Sequence, residues 1–249
     1  MQEMLSKIEK KITLKFKYKM NKLGILIYAR TDSKRFPGKV LKLINKKKTL
    51  IELVHSRVKK KSKNYLVIVN TSIKKSDDKI VSICKKNKIN FFRGDLTNVF
   101  ERTIQCCKKY KLDAFVRVNA DRPFFDYDLM AKMIKIFNKN KFDIVTNQLS
   151  KMCPKGLACE IAKTKIFYEV KKKSLLKNDK EHIFNYFYKS RKNYKIKDFI
   201  DIYYKKKNKL NLSIDLKKDF KNTEKIFKKF KYNFIIDTKT VLKEMSQKS

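Results

Sequence analysis

Leu23-Gly24-Ile25-Leu26-Ile27-Tyr28-Ala29-Arg30-Thr31-Asp32-Ser33-Lys34-Arg35-Phe36-Pro37-Gly38-Lys39 is the stretch whose reading decides the fold. Leu23 to Ala29 is a short, bounded apolar run, the pattern of a strand buried on both faces. It runs directly into a basic loop that ends in Pro37-Gly38. A strand that opens into such a loop at its carboxyl edge makes a cradle for phosphate. Pro37 and Gly38 bend the chain so that backbone N–H groups can approach an anion. Arg30, Arg35 and Lys39 bring cations to the same loop, and Ala29 and Ser33 line it. The plain alternative is a solvated basic turn. Two of the loop's cations are Arg, which is scarce in this chain, and that favours the anion site.

The scarcity of Arg also bears on the charge. The chain has 249 residues, 65 Lys and Arg against 24 Asp and Glu, and a formal net charge of +41. Such a balance suggests a nucleic-acid partner. Only eight of the basic residues are Arg, however, and nucleic-acid readers rely on Arg for bidentate contacts. Abundant Lys, Asn and Ile with 4 Gly and no Trp is the bias of an AT-rich coding sequence. The expectation is therefore weak, salt-sensitive contact with nucleic acid and no specific binding. The five cysteines are odd in number and contain no C-x-x-C pair, and no apolar run is long enough to span a bilayer. These features predict a cytoplasmic chain with reduced thiols, no membrane insertion and no zinc site. Cys84, Cys106 and Cys107 fall in helical patterns and are expected in the core.

Strand and helix signals alternate from Leu23 onward. Strands are expected at 65–71, 90–93, 114–120, 142–146 and 210–214. Helices are expected at 76–88, at 95–110 with Asp95 as cap, at 126–140 with Asp126 as cap, at 217–230, and after Asp237. This order predicts a single α/β domain, a mainly parallel twisted sheet with helices on both faces. Residues 1–19 read as a basic extension or an upstream start, expected to be dispensable, ahead of a domain over 20–249. Residues 150–209 are less regular and are expected to form a substrate and dimer-contact region.

Two further constellations carry chemistry. Val116-Arg117-Val118-Asn119-Ala120-Asp121-Arg122-Pro123 places Asp121 at the end of a strand expected to neighbour the first. A carboxylate there points into the crevice where α/β ligands bind. Its task would be to hold Mg²⁺ on nucleotide phosphates, and the alternative is a turn or cap. Leu212-Ser213-Ile214-Asp215 repeats the arrangement, again with helix capping as the alternative. Asp126-Tyr127-Asp128 has the form of a metal-binding D-x-D, but it opens a helix, and N-capping accounts for it.

Together these segments resemble the CTP-dependent sugar-acid cytidylyltransferases of the acylneuraminate and spore-coat-polysaccharide type. The resemblance runs from about Met20 to Phe220. It rests on Ala29 to Lys39, Phe92-Arg93-Gly94-Asp95 with Val99 and Arg102, Asn119 to Pro123, Gly156 to Glu160, Glu181-His182 and Ile214-Asp215. It implies a Rossmann-like, GT-A-like nucleotidyltransferase fold, CTP and a sugar acid as substrates, Mg²⁺ as cofactor, and a homodimer. A CMP-sugar for surface glycan synthesis and pyrophosphate would be the products. Arg30 and Lys39 would bind the triphosphate, with Asp121 the third catalytic residue. Asp121 and Asp215 would hold the metal, and Arg93 and Arg102 would lie near the nucleotide. Arg117, Asn119, Glu160 and His182 would face the acceptor. The departures are Asp32 where related loops often have Gly, Ala120 and Arg122 around Asp121 where a Gly and a small residue are usual, Ala158 where an Asp is common, and Ile183-Phe184-Asn185 in place of Val-Thr-Pro. Asp32 must turn outward or pair with Lys34 to spare the triphosphate. A non-catalytic member of the family is the remaining alternative.

Overall fold

The computed structural model describes residues 22–171 and 175–247; the extension at 1–19 lies outside them. The chain forms β1 (Leu23–Tyr28), β2 (Leu43–Ile44), β3 (Lys48–Thr49), α1 (Leu50–Lys59), β4 (Leu66–Ser72) and α2 (Asp78–Lys86). It continues with β5 (Asn90–Gly94), α3 (Val99–Tyr110), β6 (Ala114–Asn119), α4 (Tyr127–Phe137) and β7 (Ile144–Thr146). Then follow β8 (Glu160–Lys163), α5 (Thr164–Lys171), α6 (Lys177–Glu181), α7 (Asn185–Lys189) and β9 (Ile196–Asp198). The last elements are α8 (Ile202–Lys205), α9 (Lys217–Lys229) and α10 (Thr238–Ser246).

Seven strands form one sheet in the order β5-β4-β1-β6-β8-β7-β9. β5, β4, β1 and β6 are parallel; β8 runs antiparallel to both its neighbours, and β9 is parallel to β7. Every residue of β1 is buried, as both faces of the sheet are covered. The faces follow the strand alternation. Ile25, Ile27, Val67, Val69, Val116 and Val118 pack toward α1, α2, α4, α9 and α10. Leu26, Ile68 and Phe115 pack toward α3, α5 and α7, where Phe100, Phe167, Phe184 and Phe187 form one aromatic cluster. Cys84, Cys106 and Cys107 are buried as expected.

Three expectations need correction. The strand at 210–214 is absent from the sheet. Its segment makes a single parallel bridge, Lys155 to Asn211, because β8 already occupies the free edge of β6. Asp95 does not cap α3. Asn98 does so, accepting from Glu101 N at 3.0 Å, while Asp95 gathers Thr97 N and Asn98 N in the preceding turn. Residues 150–209 are more regular than expected, holding β8, β9 and four short helices among the described residues. Asp126 and Asp237 cap α4 and α10 as anticipated.

Gly156 allows a close approach. At φ 98° it brings its backbone against Leu212 and Ser213, where a Cβ would lie 2.6 Å from the Leu212 carbonyl carbon. That contact lays residues 211–215 across the carboxyl edge of β6. In the same core, the guanidinium of the fully buried Arg57 ties α1 to two later segments. It donates to Phe125 O at 3.0 Å, Phe234 O at 3.1 Å, Ile236 O at 2.9 Å and Thr238 Oγ1 at 2.9 Å. Burial pulls its pKa down to about 10, so it is still charged at neutral pH.

Candidate active site

The loop after β1 lies at the carboxyl edge of the parallel strands, between the ends of β4 and β6. Thr31 organises it. Its carbonyl accepts from Ser33 N at 2.9 Å and from Gly38 N at 2.8 Å, so the loop closes on itself. Gly38 sits at φ 68° and ψ 10°, the left-handed conformation that favours glycine. From that turn the buried Lys39 reaches inward. Its Nζ donates to Asp121 Oδ2 at 2.6 Å and to Ile214 O at 2.6 Å, and it lies 3.8 Å from Asp215 Oδ1. One ammonium thus stands between the two carboxylates, although Asp215 arrives on a loop and not on a strand. Ile214 N donates to Asp121 O at 2.9 Å and fixes the two segments side by side.

Asp215 carries more positive charge than Asp121. Arg35 Nη2 lies 2.8 Å from its Oδ1, and Lys155 Nζ binds its Oδ2. Burial pushes its carboxyl up, but the bond to Lys155 and the charges of Lys155, Lys39 and Arg35 outweigh it and hold the group below the usual carboxylate range. It is ionised at neutral pH. It does not cap α9: Asp219 accepts from Asp215 N at 2.9 Å and from Leu216 N at 2.7 Å, leaving the Asp215 side chain to the crevice. Two carboxylates converging beside a basic loop are hard oxygen donors of the kind Mg²⁺ accepts together with phosphate oxygens. The donor set fits that ion.

The far side of the crevice is built on the face that carries Leu26 and Phe115. Arg117 of β6 stands opposite Glu160 of β8 in register, and Arg117 Nη1 lies 2.9 Å from Glu160 Oε2. Tyr188 of α7 donates to Glu160 Oε1 at 2.6 Å and lies 2.8 Å from Thr146 Oγ1. Burial lowers the pKa of Arg117, but Glu160 and the neighbouring tyrosines raise it further, and the net shift is upward. Asn119 is half-buried and ends β6 on the same face. Above this wall Arg30 Nη2 pairs with Glu181 Oε1 at 2.7 Å, both side chains partly exposed. That bond holds the Glu181 carboxyl below its ordinary range. His182 follows, exposed to solvent.

A cytidylyltransferase family model matches residues 24–247. The chain belongs to the cytidylyltransferase family. It is 34% identical over 202 residues to an uncharacterized protein of Methanocaldococcus jannaschii, covering 81% of each chain. To the spore coat polysaccharide biosynthesis protein SpsF of Bacillus subtilis it is 27% identical, over 84% of this chain and 88% of that one. A 3-deoxy-manno-octulosonate cytidylyltransferase of Fusobacterium nucleatum is 31% identical over 130 residues, about half of each chain at 49% and 48%. Among solved structures, a cytidylyltransferase from Leptospira borgpetersenii superimposes with a TM-score of 0.85 at 26% identity, covering 92% of this chain and 94% of that one. The Rossmann-like nucleotidyltransferase architecture expected from the sequence is the one observed.

In this cytidylyltransferase Arg35, Lys39, Asp121 and Asp215 meet at the loop 29–39, which also carries Arg30, Ser33 and Gly38. Ala29 starts the loop, donating its N–H to Asn70 O at 3.3 Å. The two other Arg residues expected near the nucleotide bind groups in the turns after β4 and β5. Arg93 donates to Ser72 O and Lys74 O and pairs with Asp78 at 2.7 Å. Arg102 is buried and donates to Asp95 O at 2.7 Å. Asp32 does turn outward, and its partner is Lys74 at 3.2 Å and not Lys34. Ala158 is buried, and its carbonyl accepts from Arg122. Lys155, Glu181 and Tyr188 were missed as site residues. Lys155 is one of 57 lysines and nothing local marks it. Tyr188 reaches Glu160 only through the packing of α7. Glu181 stands in a quoted motif, Glu181-His182, but its pairing with Arg30 spans 151 residues. No described helix is long and apolar enough to cross a membrane.

Proposed function

We propose that this cytidylyltransferase joins the CMP moiety of CTP to a hydroxyl of a sugar acid, releasing pyrophosphate, for synthesis of a surface polysaccharide. The observation that carries the reading is the Lys39 ammonium standing between Asp121 and Asp215 at the nucleotide loop. A site that already gathers cations and carboxylates at a strand edge is matched to a magnesium-bound triphosphate. The names of the spore-coat relative and of the octulosonate cytidylyltransferase support a sugar-acid acceptor and a polysaccharide product.

The acceptor hydroxyl attacks the α-phosphorus in line, a new O–P bond forms as the hydroxyl proton passes to solvent, and the bond to the bridging oxygen breaks, that oxygen leaving with pyrophosphate. Such transfer needs positioning and charge neutralisation more than covalent chemistry. Asp121 and Asp215 would hold Mg²⁺, which supplies charge neutralisation on the phosphates. When nucleotide enters, Lys39 and Arg35 are placed to pass from carboxylate to phosphate oxygens. Arg30 would exchange Glu181 for a phosphate in the same way. Arg117, Asn119 and His182 supply donors for the acceptor's carboxylate and hydroxyls. Glu160, already engaged by Arg117 and Tyr188, would hold that wall in place and present its remaining lone pairs.

Pyrophosphate release measured with each of the four nucleoside triphosphates and Mg²⁺ across a panel of sugar acids tests the proposal. Turnover is expected with CTP and one or a few sugar acids. Equal turnover with ATP or GTP, or with neutral sugars only, would overturn it.

A further inference from the structure

Asp77 is fully buried, stands in the turn between β4 and α2, and belongs to none of the residues assigned above. Its position is the N-cap of α2, where an Asp ordinarily accepts from the first-turn N–H groups. Here the side chain makes no such bond. It faces the nucleotide loop. Oδ1 accepts from Thr31 N at 2.8 Å and from the Thr31 hydroxyl at 2.6 Å. Oδ2 accepts from the Ser72 hydroxyl, from Thr71 Oγ1 at 3.2 Å and from Ser72 N at 3.3 Å at the end of β4.

Two of the five partners are backbone N–H groups and three are hydroxyls able to donate, a set that favours the ionised carboxylate. Burial raises the Asp77 carboxyl, but the bonds from Ser72 and Thr31 outweigh it and hold the group below its ordinary range. The residue it grips is the one that closes the loop. The Thr31 carbonyl gathers Ser33 and Gly38 while its N–H and hydroxyl are fastened to Asp77. Arg30 comes just before the fastened residue and Lys39 just after the gathered Gly38. Two outer contacts brace the same turn: Asp32 on Lys74, and Arg93 on Ser72 O, Lys74 O and Asp78.

We propose that Asp77 is a positioning residue of the transfer reaction: it sets the register of the nucleotide loop through Thr31, so that Arg30 and Lys39 meet the triphosphate in one geometry. The helix forgoes its cap and the loop gains an anchor. This inference rests on the loop at 29–39 being the nucleotide site.

The test is steady-state kinetics on the full chain well below its melting temperature. Asp77→Asn keeps the shape but turns an NH₂ toward donors. It is expected to lower kcat/KM for CTP at least about tenfold, since misplacement of binding groups is costly to transfer. KM for the acceptor should stay within about twofold, a spread small beside that tenfold loss. Thr31→Val deletes only the hydroxyl and is expected to lose several-fold, with Thr31→Ser restoring most of it. Combined with Asp77→Asn, Thr31→Val should add little, because both break one link. Lys39→Met serves as the reference for the underlying reading. If it leaves CTP binding and turnover intact, the nucleotide-loop assignment itself fails. If it abolishes turnover while Asp77→Asn and Thr31→Val lower only the melting temperature, or lose activity multiplicatively, Asp77 is structural and the inference is overturned. If Asp77→Asn does not fold, the Thr31 pair decides by the same criteria.

Discussion

The two walls of the crevice are built in opposite ways. The wall proposed for the nucleotide is a run of consecutive residues, 29–39, folded back on itself and closed against two carboxylates. The wall proposed for the acceptor is assembled from Arg117, Glu160 and Tyr188, which sit on three separate elements and meet through an antiparallel strand and a helix of five residues. A wall made from one loop keeps its chemistry wherever the loop keeps its shape. A wall made from scattered elements changes whenever any one of them is repacked. The departures at Ala158 and at Ile183-Phe184-Asn185 fall on the second wall; Asp32 falls on the first, where it is turned out onto Lys74 and the cations and carboxylates are kept. Under the proposed function, nucleotide choice and acceptor choice are expected to be separable within one fold.

That separation can be broken experimentally, and the largest effect belongs to the nucleotide wall. Asp121→Asn and Asp215→Asn remove charge at nearly constant size, and each should lower kcat by about a hundredfold or more. Each change leaves the buried Lys39 with one carboxylate in place of two, so the melting temperature should fall by a few degrees as well; that fall with turnover preserved would mark a purely structural role instead.

On the acceptor wall, Glu160→Gln leaves Arg117 buried with its charge unbalanced. Stability should fall by about 3 kcal/mol, the scale for breaking a buried pair by removing one partner. KM for the acceptor should rise about tenfold while CTP binding, followed by thermal shift, is unchanged. If both substrates weaken together, the walls are coupled and the comparison fails.

Glu181→Gln frees Arg30 for phosphate and should tighten CTP binding by roughly two- to fivefold, the size of a partly exposed charge pair. The Glu181 carboxyl is depressed by Arg30, so the ion pair is fully present at pH above the ordinary carboxylate value and is lost as the pH falls through the lower folded value. The advantage of the variant should therefore be constant from pH 6 to 9 and vanish only in acid, which isothermal titration at several pH values can follow.

Gly38→Ala is the smallest change. A Cβ there meets nothing within 4 Å, so the cost is the left-handed backbone alone, about 1 kcal/mol or a few degrees in Tm. A far larger loss of turnover than of stability would show that the phosphate passes directly over Gly38.

The same contrast explains what could be read from the amino acids. β1, β4 and β6 are runs of five or more apolar or half-apolar residues, and a parallel strand buried on both faces announces itself that way. Lys39, Asp121 and Asp215 were legible because each follows such a run or its turn. The strand expected at 210–214 was misread because its apolar residues are buried against the Gly156 turn and not in the ladder; burial and pairing leave one signature in sequence. β7 lies inside the strand expected at 142–146, but β8 and β9 span four and three residues, too short for alternation to show. Asp77 would pass for a helix cap on sequence alone, since Ser-Asp-Asp before a helical pattern is a capping signal, and only its side-chain direction reveals the loop as its target. Arg93 and Arg102 sat in the right motif, but the motif does not say that their guanidinium groups close turns.

Arg57 bears on the order in which the molecule can be made. Its buried guanidinium finds two of its backbone acceptors, and Thr238, only on the segment 234–238, some 180 residues after it leaves the ribosome. Until that segment emerges, closing α1 over the sheet would strand a positive charge in a half-built interior. The loop 29–39, which follows β1 and leans on α1 through the turn at Lys39–Leu41, would thus reach its final form only after the segment 234–238 has emerged. Until then a nascent chain of this cytidylyltransferase would carry that basic loop without the frame that holds it.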